Sequence, residues 1–306
     1  MTSPAQRIPS AFSVDVEDYF HVEAFSADVS RDDWTSFPSR VVANTHRLLD
    51  LLDRYAVRGT FFVLGWVAHA EPALVREIRD RGHEVACHSY WHRLIYRLTP
   101  EEFREDTKRA KDAIESAAGI AIDGYRAPTF SITPRSLWAL DILAECGFTF
   151  DSSIFPIHHD NYGMAGSPRD PYRIRVGGGS ASIVEFPIST WSVLGRDMPV
   201  AGGGYLRMLP LWYNRAGIDA MLAHDRPAMV YVHPWEIDPE QPRIKTRLRS
   251  RLRHYTNLGG MQARLERLLE RYSFAPVGEV LRGRHLPEYR IDDGARALAK
   301  TGTDGS

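Results

Sequence analysis

The sequence predicts an α/β protein in which parallel strands, flanked by helices, build a barrel in preference to an open sheet. Two observations carry this. Segments of strand character alternate with segments of helical periodicity from Ala11 to Val232, and repeated βα units lay strands side by side in parallel. Ionisable residues then recur where those strands end, and in a barrel of βα units the carboxyl ends of the strands face a common mouth. The chain has 306 residues, 43% of them hydrophobic, enough for one large domain or two small ones.

Each element has its own signal. Ala11–Val16 reads as a buried strand, and 39–55 as a helix with Val41, Val42, Leu48, Leu49 and Leu52 at helical spacing. Residues 60–64 form the next strand, 72–81 a helix opened by Pro72, and Glu84–Cys87 a strand. Thr99 with Glu102 three residues on marks the start of a helix over 100–118. Further on come strand 124–126, helix 134–146 capped by Thr133, strand 148–150, strand 183–188, helix 214–223 and strand 228–232. Two irregular stretches interrupt this order, 156–179 and the region ending in Gly202-Gly203-Gly204, and long loops in a compact domain are usually functional rims. A catalytic barrel over 1–240 is therefore expected, followed by a helical extension over 241–294 packed on it. The polar stretch 295–306 is expected to be a disordered tail.

Composition excludes some functions. A net charge of -1 argues against a nucleic-acid binder driven by phosphate contacts. The chain shows neither a membrane-length apolar run nor a basic start with a hydrophobic signal core, so a cytoplasmic location is expected. Cys87 and Cys146 both sit beside apolar residues and read as buried free thiols. The basic segment 243–253 reads first as a solvated helix face; its second reading is a docking surface for anionic polymer or lipid, that is, peripheral association with a membrane.

The chemistry lies at the strand ends. His88 and His92 are four residues apart, so in a turn or helix both rings can face one point. Two neutral imidazoles need only a carboxylate to make a three-ligand site with an open position. Asp15 and Glu17 end the first strand, Arg126 the fourth, Asp151 the fifth, and His233 the strand 229–232. Bland readings exist for each: Asp15 or Asp18 as a cap, Arg126 as a structural ion-pair partner, His233 as a packed histidine. Six ionisable groups at one end of successive strands make the joint pattern hard to dismiss. His21, His158 and His159 read as rim residues. Among the aromatics near the mouth, Trp235, next to His233, is the best candidate to stack on a sugar ring.

Five blocks, Ser13–Asp18, His88–His92, Arg126–Phe130, Asp151–Pro156 and Tyr231–Glu236, resemble in content and order those of the polysaccharide deacetylase (NodB-homology) family. The resemblance is strongest to the subgroup associated with exosortase-linked exopolysaccharide clusters. It implies a distorted, incomplete (β/α) barrel, an acetylated polysaccharide or lipid-linked precursor as substrate, and one divalent ion, zinc before cobalt or nickel. It further implies that Asp15 is the catalytic base, that Glu17, His88 and His92 hold the metal, and that Arg126 orients and ionises Asp15. His233 would be the general acid, steered by Asp151, and the backbone N–H of Thr129 would be the oxyanion donor.

The chain departs from the family pattern in four places. Asp15-Val16-Glu17-Asp18 replaces two adjacent aspartates, leaving Glu17 and Asp18 both open as the ligand, with Glu17 preferred because alternate strand residues share a face. Arg93 stands where proline is usual, Thr129 where an aromatic is usual, and the fourth block lacks its tryptophan. Two rival functions follow from the same residues. One is an amidase acting on a small non-sugar amide. The other is a noncatalytic polysaccharide-binding module, against which the presence of both Asp15 and His233 speaks.

Overall fold

The computed structural model describes residues 9–159, 162–177, 180–292 and 297–301. Its strands are β1 (Ser10–Val16), β2 (Thr60–Val63), β3 (Glu84–Cys87), β4 (Gly124–Tyr125), β5 (Phe150–Asp151), β6 (Tyr172–Arg175) and β7 (Ser182–Glu185). They continue with β8 (Thr190–Val193), β9 (Arg196–Pro199), β10 (Met229–Val232), β11 (Phe274–Ala275), β12 (Glu288–Asp292) and β13 (Ala297–Lys300). The α-helices are α1 (Val41–Arg54), α2 (Gly65–Ala70), α3 (Pro72–Asp80), α4 (Pro100–Ala118), α5 (Ala139–Glu145), α6 (Gly203–Met208), α7 (Leu211–Leu222), α8 (Leu248–Tyr255), α9 (Met261–Leu269) and α10 (Val277–Leu281).

The main sheet runs β10-β1-β2-β3-β4-β5-β7-β6-β12-β13, parallel from β10 through β7. Side chains alternate across it. Ala11, Phe62, Ala86, Phe150, Met229 and Tyr231 meet in one apolar cluster inside the curved sheet. Phe12, Val14, Val16, Phe61, Val85 and Val230 pack outward against helix residues such as Leu48, Leu52, Val75, Ile78 and Ile114. Among the described residues the curl does not close by strand pairing: at the far side of β10 the Met229 N–H donates to the Ser189 hydroxyl at 2.6 Å. A distorted (β/α) barrel, incomplete at that seam, is the result.

Helix α4 spans the expected residues. Its Thr99 hydroxyl accepts from the Glu102 N–H, Glu102 accepts from the Thr99 N–H, and Gly119 ends the helix with φ 69°. Helix 134–146 starts later than expected, at Ala139. The Ser136 hydroxyl accepts from the Thr133 N–H at 3.0 Å and donates to the Ser131 carbonyl at 2.9 Å, a local turn that competes with the first helical turn.

Other corrections come from strand pairings, some between neighbouring segments and some between distant ones. The irregular stretch 156–179 contains β6, held antiparallel against β7. The extension over 241–294 does more than pack outside the barrel. Its β11 pairs with Ser10 and Ala11 of β1. The Ser10 N–H bonds to Ser273 while the Ala11 N–H bonds to Ala228, so β11 and β10 lie on opposite sides of β1. The segment also supplies β12, which pairs with β6. Within the expected tail, 297–300 form β13, antiparallel to β12, and the remaining tail residues except Thr301 lie outside the described ones. Cys87 and Cys146 are free thiols, Cys87 buried and Cys146 half-buried.

Candidate active site

The alternation of β1 puts Ala11, Ser13 and Asp15 inside, and continuing it by one step brings Glu17 to the same mouth. Equivalent steps on β3, β4 and β10 bring His88, Arg126 and His233 to that point. Arg126 is completely buried, at 0% exposure, and every direction of its guanidinium is used. One terminal nitrogen lies 2.6 Å from Asp15 Oδ1 and 2.9 Å from the Ser13 hydroxyl. The other donates to the Ser152 hydroxyl at 3.0 Å, and Nε donates to the Ser152 carbonyl at 3.1 Å. Phe62 lies 4.0 Å beneath its plane. This fixes Asp15 through a charge-assisted contact inside an apolar barrel, where such contacts are strong.

Glu17, His88 and His92 form a group whose ligand atoms all lie within 4.8 Å of one another. His88 reaches the group from the end of β3, its Nδ1 bonded to the Arg126 carbonyl at 2.8 Å, which leaves Nε2 as the free lone pair. His92 is not brought there by a helix. Ser89 and His92 have φ of 59° and 50°, and the Ser89 hydroxyl accepts from the His92 N–H at 3.1 Å, so of the turn and helix the sequence allows, an irregular turn is the one formed. His92 Nε2 sits 2.8 Å from Glu17 Oε2. Burial pushes His88 down to about 4 against the pull of Asp15, so it is neutral at physiological pH, as a metal ligand must be. Burial opposes charge on Glu17 as well, but His92 facing it holds the carboxyl below the usual carboxylate range.

The donor set fits a divalent ion. Glu17 Oε2 is buried with the His92 Nε2 contact at 2.8 Å as its one polar neighbour among the described residues, and two imidazoles with one carboxylate suit zinc or a neighbouring transition metal. Asp18, the other candidate, is occupied elsewhere. Its Oδ2 accepts from the Ser39 hydroxyl and from the Arg40 and Val41 N–H groups, at 2.8, 2.8 and 3.0 Å, and so caps the start of α1.

His233 Nε2 faces both carboxylates, 3.8 Å from Asp15 Oδ2 and 3.8 Å from Glu17 Oε1. Its Nδ1 lies 3.1 Å from Glu236 Oε2, and that same oxygen accepts from the His233 N–H at 3.0 Å. The other Glu236 oxygen is held by Arg207 Nε at 2.7 Å. Burial lowers the His233 imidazole, but the Glu236 hydrogen bond and charge, with Glu17 and Asp15, overcome it and raise the ring to about 9. For Glu236 burial works upward, and Arg207 and His233 bring the carboxyl down to about 2.

Two expected roles are corrected here. Asp151 does not reach His233. Phe150 and Ser152 point into the barrel, so Asp151 between them points outward, where it meets Glu185, its register partner on β7, and accepts from the Ser153 hydroxyl at 2.5 Å. Glu236 takes the orienting position instead; its signal in the sequence is the spacing His233-Pro234-Trp235-Glu236, a residue pair closed by one turn of 3-10 helix over Pro234–Ile237. Trp235 has no free face for a sugar. It is stacked between His233 at 5.0 Å and His254 at 4.1 Å, and its indole N–H donates to Glu17 Oε1 at 3.3 Å.

The remaining candidates fall around this centre. Thr129 is half-exposed just past Arg126, with a left-handed φ of 55°. His21 is buried among Phe20, Trp34 and Trp66, and burial pushes it down to about 3. His159 stacks on Tyr162 at 3.7 Å. Arg207, Ser13 and Ser152, which the sequence did not single out, prove to be structural parts of the site, each through a side-chain contact made across the barrel or its rim.

A buried arginine-held carboxylate, an imidazole pair with a third ligand, and a second imidazole converging at the carboxyl ends of barrel strands define a hydrolase-type site. Residues 32–150 match the polysaccharide deacetylase family, and residues 152–282 match a domain of unknown function, DUF3473. Over residues 32–150 the chain thus carries a polysaccharide deacetylase (NodB-homology) domain. That match contains His88, His92, Arg126 and Thr129; His233 and Glu236 fall within the second region.

A chitooligosaccharide deacetylase of Bradyrhizobium sp. (strain ANU 289) is 35% identical over 100 residues, 33% of this chain and 43% of that protein. A peptidoglycan-N-acetylglucosamine deacetylase of Bacillus cereus is 31% identical over 98 residues, 32% of this chain and 36% of that one. The chain thus matches less than half the length of these relatives. A crystal structure of a Mycobacterium smegmatis protein assigned as a polysaccharide deacetylase shares the fold, with a TM-score of 0.61 and 21% identity over 100% of this chain and 97% of that one. PuuE allantoinase shares it as well, with a TM-score of 0.56 and 12% identity over 92% and 96% of the two chains.

Proposed function

We propose that this protein is a metal-dependent deacetylase that hydrolyses acetyl groups, N-acetyl in the first instance, from a sugar polymer or its lipid-linked precursor. The observation that carries the reading is the placement of Asp15 and His233 Nε2 around one point beside the Glu17, His88 and His92 group. Those three residues would hold the divalent ion, which when bound supplies Lewis acidity toward water and the acetyl carbonyl. Asp15, fixed by Arg126, accepts the proton of the attacking water. His233, kept protonated by Glu236, delivers its Nε2 proton to the departing sugar nitrogen. Water and amide are consumed and acetic acid and free amine are formed; Asp15 gains one proton, His233 gives one up, and exchange with solvent restores both residues and ionises the acid.

The family relationship and the carbohydrate substrates named for the matched relatives support a glycan over a small amide. The exosortase-associated resemblance favours an exopolysaccharide under construction, at the cytoplasmic side of a membrane. The test is acetate release by the purified full chain from a panel of N- and O-acetylated oligosaccharides alongside small amides, with and without added zinc, cobalt or nickel. Release from the glycans and not from small amides is expected; turnover of small amides alone selects the amidase, and binding of glycans without any turnover selects the noncatalytic module.

A further inference from the structure

Helix α8 and the segment before it form a surface that nothing in the active site requires. From Arg243 to Arg253 the chain carries six basic residues and no acidic one. All six are exposed, and among the described residues none of them takes part in an ion pair. Leu248 and Leu252, one helical turn apart on α8, are 67% and 59% exposed. Arg243, Arg251 and Tyr255 flank these leucines around a shallow depression, with the Arg243 guanidinium 4.2 Å over the Tyr255 ring. Asp28 accepts from the Thr246 hydroxyl at 2.5 Å at the edge of this surface but forms no ion pair with the six cations among the described residues, so the charge around the two projecting leucines is left unneutralised.

The opposite side of α8 is fixed. His254 is buried, bonded to Gln241 at 2.7 Å and stacked on Trp235. Arg207 donates to the carbonyls of Arg253, His254 and Thr256 at 3.1, 2.9 and 2.7 Å while it holds Glu236. The helix is therefore joined rigidly to the residues that orient His233.

We infer that the exposed face of α8, with Leu248 and Leu252 at its centre and the arginines around them, docks on the surface of an anionic lipid bilayer. Arginine-rich helices with projecting apolar residues bind such surfaces by combining attraction to anionic headgroups with shallow insertion of the apolar side chains. The leucines favour a bilayer over a soluble anionic polymer, which would use the charge and gain little from them. Because α8 is one stacked ring from His233, docking holds the catalytic mouth close to the membrane; the consequence that the glycan is presented there rests on the deacetylase reading above.

The experiment is co-sedimentation of the full chain with phosphatidylcholine vesicles and with phosphatidylcholine–phosphatidylglycerol vesicles, at low and at physiological salt. Binding to the anionic vesicles alone, weakened by salt, is expected. The double variant Leu248→Glu, Leu252→Glu, made at exposed positions and so without effect on folding, should bind at least tenfold less. Leu194→Glu, at a tip position 99% exposed, should bind like the wild type. Paired replacement of Arg249 and Arg251 by Gln should cost roughly 25-fold, at about fivefold per arginine. No binding to anionic vesicles, or equal binding to neutral ones, overturns the inference. So does vesicle binding that the leucine variant leaves unchanged and a soluble polyanion abolishes, which would mark a polymer-binding face. Acetate release from a soluble oligosaccharide is measured on the same samples: its absence with vesicle binding intact refutes the deacetylase reading and leaves this one standing.

Discussion

Replacing Glu236 by Gln tests the proposed acid directly. The raised His233 value of about 9 depends first on the hydrogen bond and charge of Glu236, because burial alone would push the ring below its ordinary value. The rise from 6.5 to about 9 corresponds to about 3 kcal/mol of interaction with the charged ring. Without the carboxylate the ring should titrate at or below 6.5, so at pH 8 the protonated fraction falls roughly 30-fold and at pH 6 by less than twofold. The assay is kcat/KM for acetate release from an N-acetylated oligosaccharide across pH 5.5 to 10, with saturating metal. The alkaline limb of Glu236→Gln should move to lower pH, and Asp151→Asn should leave it in place, since Asp151 points out of the barrel. A cation at Glu17, His88 and His92 opposes the imidazolium in wild type and variant alike, so the displacement between the two profiles is the quantity to read. Stability has a matching sign. The raised pKa contributes stability fully present below about 6.5 and lost as pH rises through about 9, so the variant's deficit in melting temperature should shrink with rising pH. Superimposable rate profiles for wild type and Glu236→Gln, or a limb displaced in Asp151→Asn, would refute the assignment.

Three further outcomes follow from the geometry. His88→Ala and His92→Ala should each lose a divalent ion that the wild type binds at about one per chain, with folding retained by circular dichroism; unchanged metal content by elemental analysis would count against the ligand set. Asp15→Asn should keep the metal and lower kcat by roughly 10²–10⁴-fold, whereas Asp18→Asn, which weakens the cap of α1, should cost on the order of 1 kcal/mol in stability and leave metal content unchanged. Glu185→Gln should stabilise the protein at pH 8 relative to pH 5 in urea titrations. Burial raises Asp151 to about 6 and Glu185 in the same direction, so the folded chain holds a proton that the unfolded chain has released, and wild-type stability declines as pH climbs from the ordinary carboxylate range through 6; a variant no more stable than wild type at pH 8 would show that the pair is not strained there.

What was legible in the sequence was what local chemistry determines. Thr99 and Glu102 closed the start of α4 as expected, and the alternation in β1 of small or polar Ala11, Ser13 and Asp15 with large apolar Phe12, Val14 and Val16 fixed which side chains enter the barrel. The choice of Glu17 over Asp18 as the residue beside the imidazoles followed from the same period of two. Elements such as β6, β11 and β12 were not legible, because each is a short segment with a strand partner far away in sequence, and β13 forms only as the second arm of a hairpin on β12. At His92 the spacing left turn or helix open, and positive φ values with the Ser89 hydroxyl make it a turn.

The exchange of Asp151 for Glu236 has the same physical origin. In Phe148-Thr149-Phe150-Asp151-Ser152-Ser153 only Phe148 and Phe150 alternate, and they pack in different clusters, so this short pattern does not settle which of the three consecutive polar residues faces inward. The barrel decides it through Arg126, whose guanidinium and Nε require the hydroxyl and carbonyl of Ser152; once Ser152 is inside, Asp151 is outside, and a carboxylate for His233 has to come from elsewhere. Glu236 can supply it because Pro234 starts a single helical turn that folds residue 236 back over residue 233, bonding backbone N–H and ring nitrogen with one oxygen. The same turn delivers the other oxygen to Arg207, and through Arg207 to the carbonyls at the end of α8. The orientation of the proposed acid and the anchoring of the exposed basic helix are thus set by one carboxylate, which is why Glu236 should be the least replaceable residue of the region 152–282.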